Sequence, residues 1–380
     1  MWWFRVKVVA LIGAALLTIG ARPGETVSLM AAPPGGPRQP PGRETPAIDV
    51  LAEVSYGTDL FGDVAVERRG SGVAAVRLAD GTDAWVYERI WADDFVDWVR
   101  VDGRHLAAVW RDGRVTLIDV PTGRMVWHAD LPPGPAEKLS RSYDEEWPAM
   151  WEVSVAATGS LVVQHDRRVD VLDVRTGAIR WTRPFTSCRP VDGVQGMGGI
   201  VLLTHGCEGD TVNGVALDAD DGTQLWTDAD TMTFITRDLG HGRLVTIGDG
   251  GELVVRRAVD GTVLWRARPK GLPSNDATLL GVSDDLLTVD TPQEVVAYRT
   301  ADGGVAWRRS FGGAPREPGR VLTNGRITYV RETDRTLVKL DGRTGEVIDR
   351  RRFAEEIEPL AMRDDLAMVD VGVKHHLVVA

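Results

Sequence analysis

At 380 residues with 43% hydrophobic content, the chain is long enough to bury a sizeable core. Its formal net charge is −11, while residues 1–43 set Arg5, Lys7, Arg22, Arg38 and Arg43 against Glu25, which leaves −15 on the rest. So acidic a body excludes nucleic acid as the expected partner, because phosphate contacts need clustered Lys and Arg.

Residues 1–21, MWWFRVKVVALIGAALLTIGA, place Arg5 and Lys7 ahead of an apolar run from Val8 to Ala21. The run suits a signal-peptide core and falls short of the ~20 residues that span a bilayer. Thr18 and Gly20 offer a small-x-small cleavage site, while Trp2, Trp3 and Phe4 extend the apolar stretch. The segment reads as a signal peptide or as a short membrane anchor, the only membrane contact expected. Either sends the chain out of the cytoplasm. Residues 22–45 read as a disordered Pro/Gly-rich linker, clearest in PPGGPRQPPGRETP from Pro33 to Pro46.

Residues 46–380 carry a repeat. Ala47–Val54 reads as one strand without a motif of its own. A Trp then follows a Gly by four places at Gly81/Trp85, Gly123/Trp127, Gly177/Trp181, Gly222/Trp226, Gly261/Trp265 and Gly303/Trp307. A seventh copy keeps Asp341, Thr344 and Gly345 but has Asp349 in the Trp place. Successive anchors lie about forty residues apart, with one longer step after Trp127, and several short strands fit each unit. That period predicts an all-β propeller of four-stranded blades. The Gly supplies the positive φ of a tight turn, and the Trp is expected on the outermost strand, with its N–H on a backbone carbonyl of the next blade. After the last motif, PLAMRDDLAMVDVGVKHHLVVA holds about three strands. Joined by the N-terminal strand they make an eighth blade, so eight blades are favoured over seven.

Two connections break the period. Arg89–Val101 carries Trp91, Asp93, Asp94, Phe95, Asp97 and Trp98; the longer one carries Asp144, Glu145, Glu146, Trp147 and Trp151. Both join an outer strand to the next inner strand, so both are expected on one face of the ring. They form either an acidic aromatic binding face for a basic protein or peptide, or solvated loops whose Trp side chains dock on the blades. Farther on, Val191–Gly196 and Gly199–Gly206 read as a hairpin about Met197-Gly198. Gly196 and Gly199 then oppose each other with an index sum of 395. Cys188 and Cys207 share that sum, which predicts a disulfide between them.

The pattern A-x-D-x-x-x-G-x-x-x-W is complete at Ala216, Asp218, Gly222 and Trp226, and relaxed where Arg257 and Arg299 replace the Asp. It resembles the tryptophan-docking repeat of the pyrroloquinoline-quinone (PQQ) enzymes, and more closely the PQQ-like propellers typified by BamB. The quinoprotein enzymes of this resemblance carry vicinal cysteines and a Ca²⁺ cradle. Here the two cysteines are 19 residues apart, and no His or Cys spacing suits a metal. No cofactor, metal or catalytic residue is therefore expected. The function expected is a non-catalytic extracytoplasmic binding or scaffold role at the cell envelope. The alternatives are a quinoprotein-like enzyme with a central-channel site and a ligand-sensing ectodomain.

Overall fold

Strands dominate because apolar residues alternate, or run unbroken for five or six places, between Gly- and Asp-rich turns. The structure, a computed structural model, describes residues 25–29, 50–54, 59–89, 95–110, 112–132, 152–156, 159–165, 168–184, 189–206, 213–228, 236–272, 280–283, 285–311, 318–363, 366–371 and 375–379. Among them lie eight antiparallel sheets, the eight blades of a β-propeller. Blades 1 to 7 span 59–89, 95–130, 152–184, 189–228, 236–267, 280–310 and 322–352. Each is built of four consecutive strands, termed a to d.

The eighth blade joins the chain's two ends as expected. Its strands a to c are Ile357–Arg363, Leu366–Val371 and His375–Val379, and its strand d is Val50–Val54. The last pairing runs antiparallel, with Val54 opposite His376 and Val50 opposite Val379. Closure of this kind removes free edges that would otherwise pair with another chain.

The a strands of neighbouring blades touch each other, as in blades 2 and 3, 3 and 4, and 8 and 1, so they converge on the axis. Strands b and c are mostly buried, and wholly so in Ser160–His165 and Arg114–Asp119. Strands d alternate exposed and half-buried, as in Arg124–Asp130, and form the rim. Side chains of b and c pack across the seams between blades, and each seam has its own apolar cluster. The seam of blades 5 and 6 holds twelve buried residues, among them Leu239, Ile247, Trp265, Leu287 and Tyr298. At the seam of blades 8 and 1 the described residues include buried Leu60, Ala65 and Met368.

Each motif Trp lies on strand d, and its indole N–H donates to a backbone carbonyl in the c–d turn of the next blade. The acceptors are Val120 for Trp85 (2.6 Å), Val174 for Trp127 (2.6 Å), Ala219 for Trp181 (3.1 Å), Ala258 for Trp226 (2.7 Å), Thr300 for Trp265 (3.0 Å) and Gly342 for Trp307 (2.8 Å). The motif Gly of that next blade lies flat against the ring. A Cβ added at Gly123 would come within 2.5 Å of Trp85, and one at Gly222 within 2.9 Å of Trp181. The motif Gly therefore serves twice, with a φ of +66° at Gly123 and a bare Cα under its neighbour's indole.

In all seven motif blades the residue just before the Trp position is the extra residue of a β-bulge: Ala84, Val126, Arg180, Leu225, Leu264, Ala306 and Ile348. A bulge twists the strand and re-aims the next side chain, here into the seam. It persists in blade 7, where Asp349 replaces the Trp.

Two expectations need correction. Glu25–Leu29, inside the stretch read as a disordered linker, forms a fifth strand on blade 1, antiparallel to Asp83–Arg89, with Leu29 opposite Trp85. ETVSL alternates polar and apolar residues, enough to use the open rim edge of that blade. In blade 4 the turn is Gly198-Gly199, with Met197 opposite Ile200, two positions later in index sum than expected. Both glycines have positive φ, +54° and +86°, which a tight hairpin turn requires and Met197 would resist. Of the N-terminal strand expected over 47–54, the described residues 50–54 are all strand.

Candidate functional site

The ring has two faces. One, the turn face, carries the a–b and c–d turns. The other, the connection face, carries the b–c turns and the links from strand d to the next strand a. The ends of Asp83–Arg89 and Phe95–Arg100, and of Arg124–Asp130 and Glu152–Ala156, place both period-breaking connections on this second face. Trp91, Asp93, Asp94, Asp144, Glu145, Glu146, Trp147 and Trp151 lie outside the described residues, as do Cys188 and Cys207. Phe95 opens strand a of blade 2.

Trp98 does not join an exposed aromatic face. It packs against the apolar cluster of blades 1 and 2, beside Trp110, Tyr87 and Leu106. The alternation of strand a turns residues 97 and 98 to opposite faces of the blade, and residue 98 enters the seam. The Asp97 carboxylate accepts the N–H of Trp98 (2.8 Å). Its side chain is exposed, yet burial among surrounding protein pushes its pKa up, against the Trp98 hydrogen bond and the charge of Arg68.

Arg237 on strand a of blade 5 is in the same state. It is exposed, and its pKa is lowered first by burial and then by the charge of Arg320 from blade 7. Arg320 is tied to blade 8: its backbone N–H donates to Glu358 (3.1 Å) and its Nη1 to the Leu360 carbonyl (2.5 Å). Across the ring, Arg100 ion-pairs with Asp59 and lies 4.6 Å over the Phe61 ring. The strands a thus carry both signs of charge, Asp97 in blade 2 and Arg237 in blade 5, the latter within the field of Arg320.

One polar group was not foreseen. In blade 3 the Asp170 carboxylate takes His165 Nε2 (2.6 Å), Arg168 Nε (2.8 Å), Arg168 Nη2 (2.6 Å) and Thr182 Oγ1 (2.5 Å). Burial pushes the Asp170 pKa up, but these hydrogen bonds and the Arg168 charge hold it below the usual carboxylate range. His165 and Asp170 are 1% and 0% exposed, so the group ties the b–c turn and offers nothing to a ligand. A charged run inside a strand pattern, HDRRVD, was its only signal. Among the described residues no group of three or more His, Cys, Asp or Glu is placed to hold a metal, and no helix is long and apolar enough to cross a membrane.

A family model described as outer membrane protein assembly factor BamB matches residues 111–277 and 253–372, together more than half of the chain. No curated protein matches the sequence. Among solved structures, BamB from Moraxella catarrhalis is 15% identical with a TM-score of 0.54, covering 88% of this chain and 99% of that one. The quinohemoprotein alcohol dehydrogenase ADHIIG from Pseudomonas putida HK5 is 12% identical, also at 0.54, over 87% of this chain and 76% of that one. A computationally designed protein, Ika8, reaches 0.54 at 14% identity, over 87% and 98%. An assembly factor, a dehydrogenase and a designed chain at such identities share a fold and nothing narrower.

Proposed function

The chain belongs to the family of the outer membrane protein assembly factor BamB, and from that membership we propose that it is a non-catalytic extracytoplasmic scaffold that binds another protein at the cell envelope. Family membership is the observation that carries the reading. The connection face supports it: both period-breaking links leave the ring there, and they hold Trp91, Asp93, Asp94, Asp144, Glu145, Glu146 and Trp147 in sequence. Carboxylates beside aromatics suit a basic partner or an extended basic peptide. The N-terminal segment, as a signal peptide or an anchor, supplies the route out of the cytoplasm.

The test is capture of partners from the source's envelope extract by wild type and by the triple variant Asp144→Asn, Glu145→Gln, Glu146→Gln. Association should slow and lose salt dependence in the variant, with an unchanged melting temperature. Equal capture by both proteins would remove the face from the proposal. The second reading, a quinoprotein-like enzyme with a central-channel site, draws support from the mixed charges of Asp97 and Arg237. Stoichiometric PQQ uptake in equilibrium dialysis, or quinone absorbance in native protein, would favour it.

A further inference from the structure

We propose that the turn face carries a separate binding site at the seam of blades 4 and 5, which holds the C-terminal carboxylate and last apolar side chain of an extended peptide. An open hollow of about 470 Å³ lies there, lined by Gly198, His241, Arg243, Arg257, Val259 and Leu264.

Charge is the first observation. Arg243 and Arg257 are direct partners across the b and c strands of blade 5. Like charges directly opposed in a sheet are destabilising. Arg257 is offset by Asp260, at 2.7 Å. Arg243 has no such partner, and its Nε is buried without a hydrogen-bond acceptor among the described residues. The side chain as a whole is half-buried, and its other guanidinium donors remain open at the hollow to an anion supplied from outside.

The apolar half is the second observation. Val259 is 57% exposed and Leu264 is 37% exposed. Leu264 is the extra residue of its β-bulge, so the distortion that seats Trp265 in the seam turns its neighbour outward. A guanidinium beside aliphatic surface matches a peptide's last residue, whose carboxylate and side chain share one carbon.

The third observation is rigidity. Asp238 accepts the N–H of Gly198 from blade 4 (2.7 Å) and of Gly240 from its own turn (2.7 Å), which locks both rims. Beside them His241 has a φ of +53°, the one non-glycine residue at positive φ among the described residues. Strain of that kind persists where surroundings hold it, often at binding sites.

The site faces away from the period-breaking connections and stands or falls independently of the partner proposed there. Fluorescence polarisation with labelled eight-residue peptides ending in Val, Leu or Phe, as free acids and as C-terminal amides, tests it. Free acids should bind at least about tenfold more tightly than amides, the worth of a charge-assisted hydrogen bond. Arg243→Gln should erase that difference, and Arg266→Gln on the rim of the same blade should keep it. Circular dichroism and the melting temperature establish that both variants are folded. Equal binding of acids and amides, or no binding of either, overturns the proposal. Full displacement of the peptide by inorganic phosphate at equal concentration would also overturn it, in favour of a simple anion site.

Discussion

The docking Trp works through a residue on another blade, and that makes its energetics separable. Gly81 and Gly123 have nearly the same φ, +69° and +66°, but nothing lies within 4 Å of a Cβ at Gly81, while Trp85 covers Gly123. Gly81→Ala should therefore cost only its backbone strain, about 1–2 kcal/mol. Gly123→Ala adds a wedge against the indole, about 1–3 kcal/mol more. In a Trp85→Ala background, itself about 3–5 kcal/mol less stable, the two glycine changes should become equal. Urea titration of the four variants measures this; a Gly123 excess that survives loss of Trp85 would sink the stacking account. Acid offers a second test. Hydrogen bonds from Arg180, then from Thr176, lower the Asp173 pKa to about 2, below the ~3.9 of an unfolded chain. A depressed carboxylate stabilises above the unfolded value, and that contribution fades as pH falls through about 2. Asp173→Asn should melt lower than wild type at pH 7 and converge with it by pH 2. A gap of constant size across that range would refute the assignment.

Among elements, blade count and strand roles were legible because they rest on a period, and a period survives the loss of single residues such as the seventh Trp. The bulges were not legible. Ala84, Val126, Arg180, Leu225, Leu264, Ala306 and Ile348 share no chemistry, only a position. The fifth strand at Glu25–Leu29 escaped notice because five residues carry too little periodicity beside a Pro-rich neighbour. For Trp98 an aromatic among carboxylates leaves a binding loop and docking on the blades both open, and phase along strand a decides for docking. The hairpin of blade 4 shows register at work twice over. Its turn is at Gly198-Gly199, but an irregularity between Pro190 and Val194 returns the ladder to the expected register, with Arg189 opposite Gly206. One step farther along that ladder are positions 188 and 207. We expect Cys188 and Cys207 to form a disulfide in protein recovered from an oxidising compartment. Two thiols per chain under denaturing, non-reducing conditions would refute it.

For the whole molecule, the docking contacts are directional and incomplete. They run from blade 1 to blade 2 and onward to blade 7. Blade 7 carries Asp349, and the strand d of blade 8, VLAEV, carries no Trp. Blade 8 therefore adjoins both seams without a docked indole. Local opening follows the weakest seam. Native-state hydrogen exchange should open 357–371 and 375–379 before the middle strands of blades 2 to 6, with Val50–Val54 leaving alongside them. Uniform protection around the ring would contradict this.

The closing pair also sets a timetable for synthesis. Val50–Val54 leaves the ribosome early, and its partner His375–Val379 is made more than 300 residues later. At about 5–20 residues per second the strand waits tens of seconds with its pairing groups unmet. Glu25–Leu29 faces no such delay, because Asp83–Arg89 is made soon after it and the first blade is then whole. That early strand moors the leading end of the nascent chain to a finished blade, within reach of the last strand to be made.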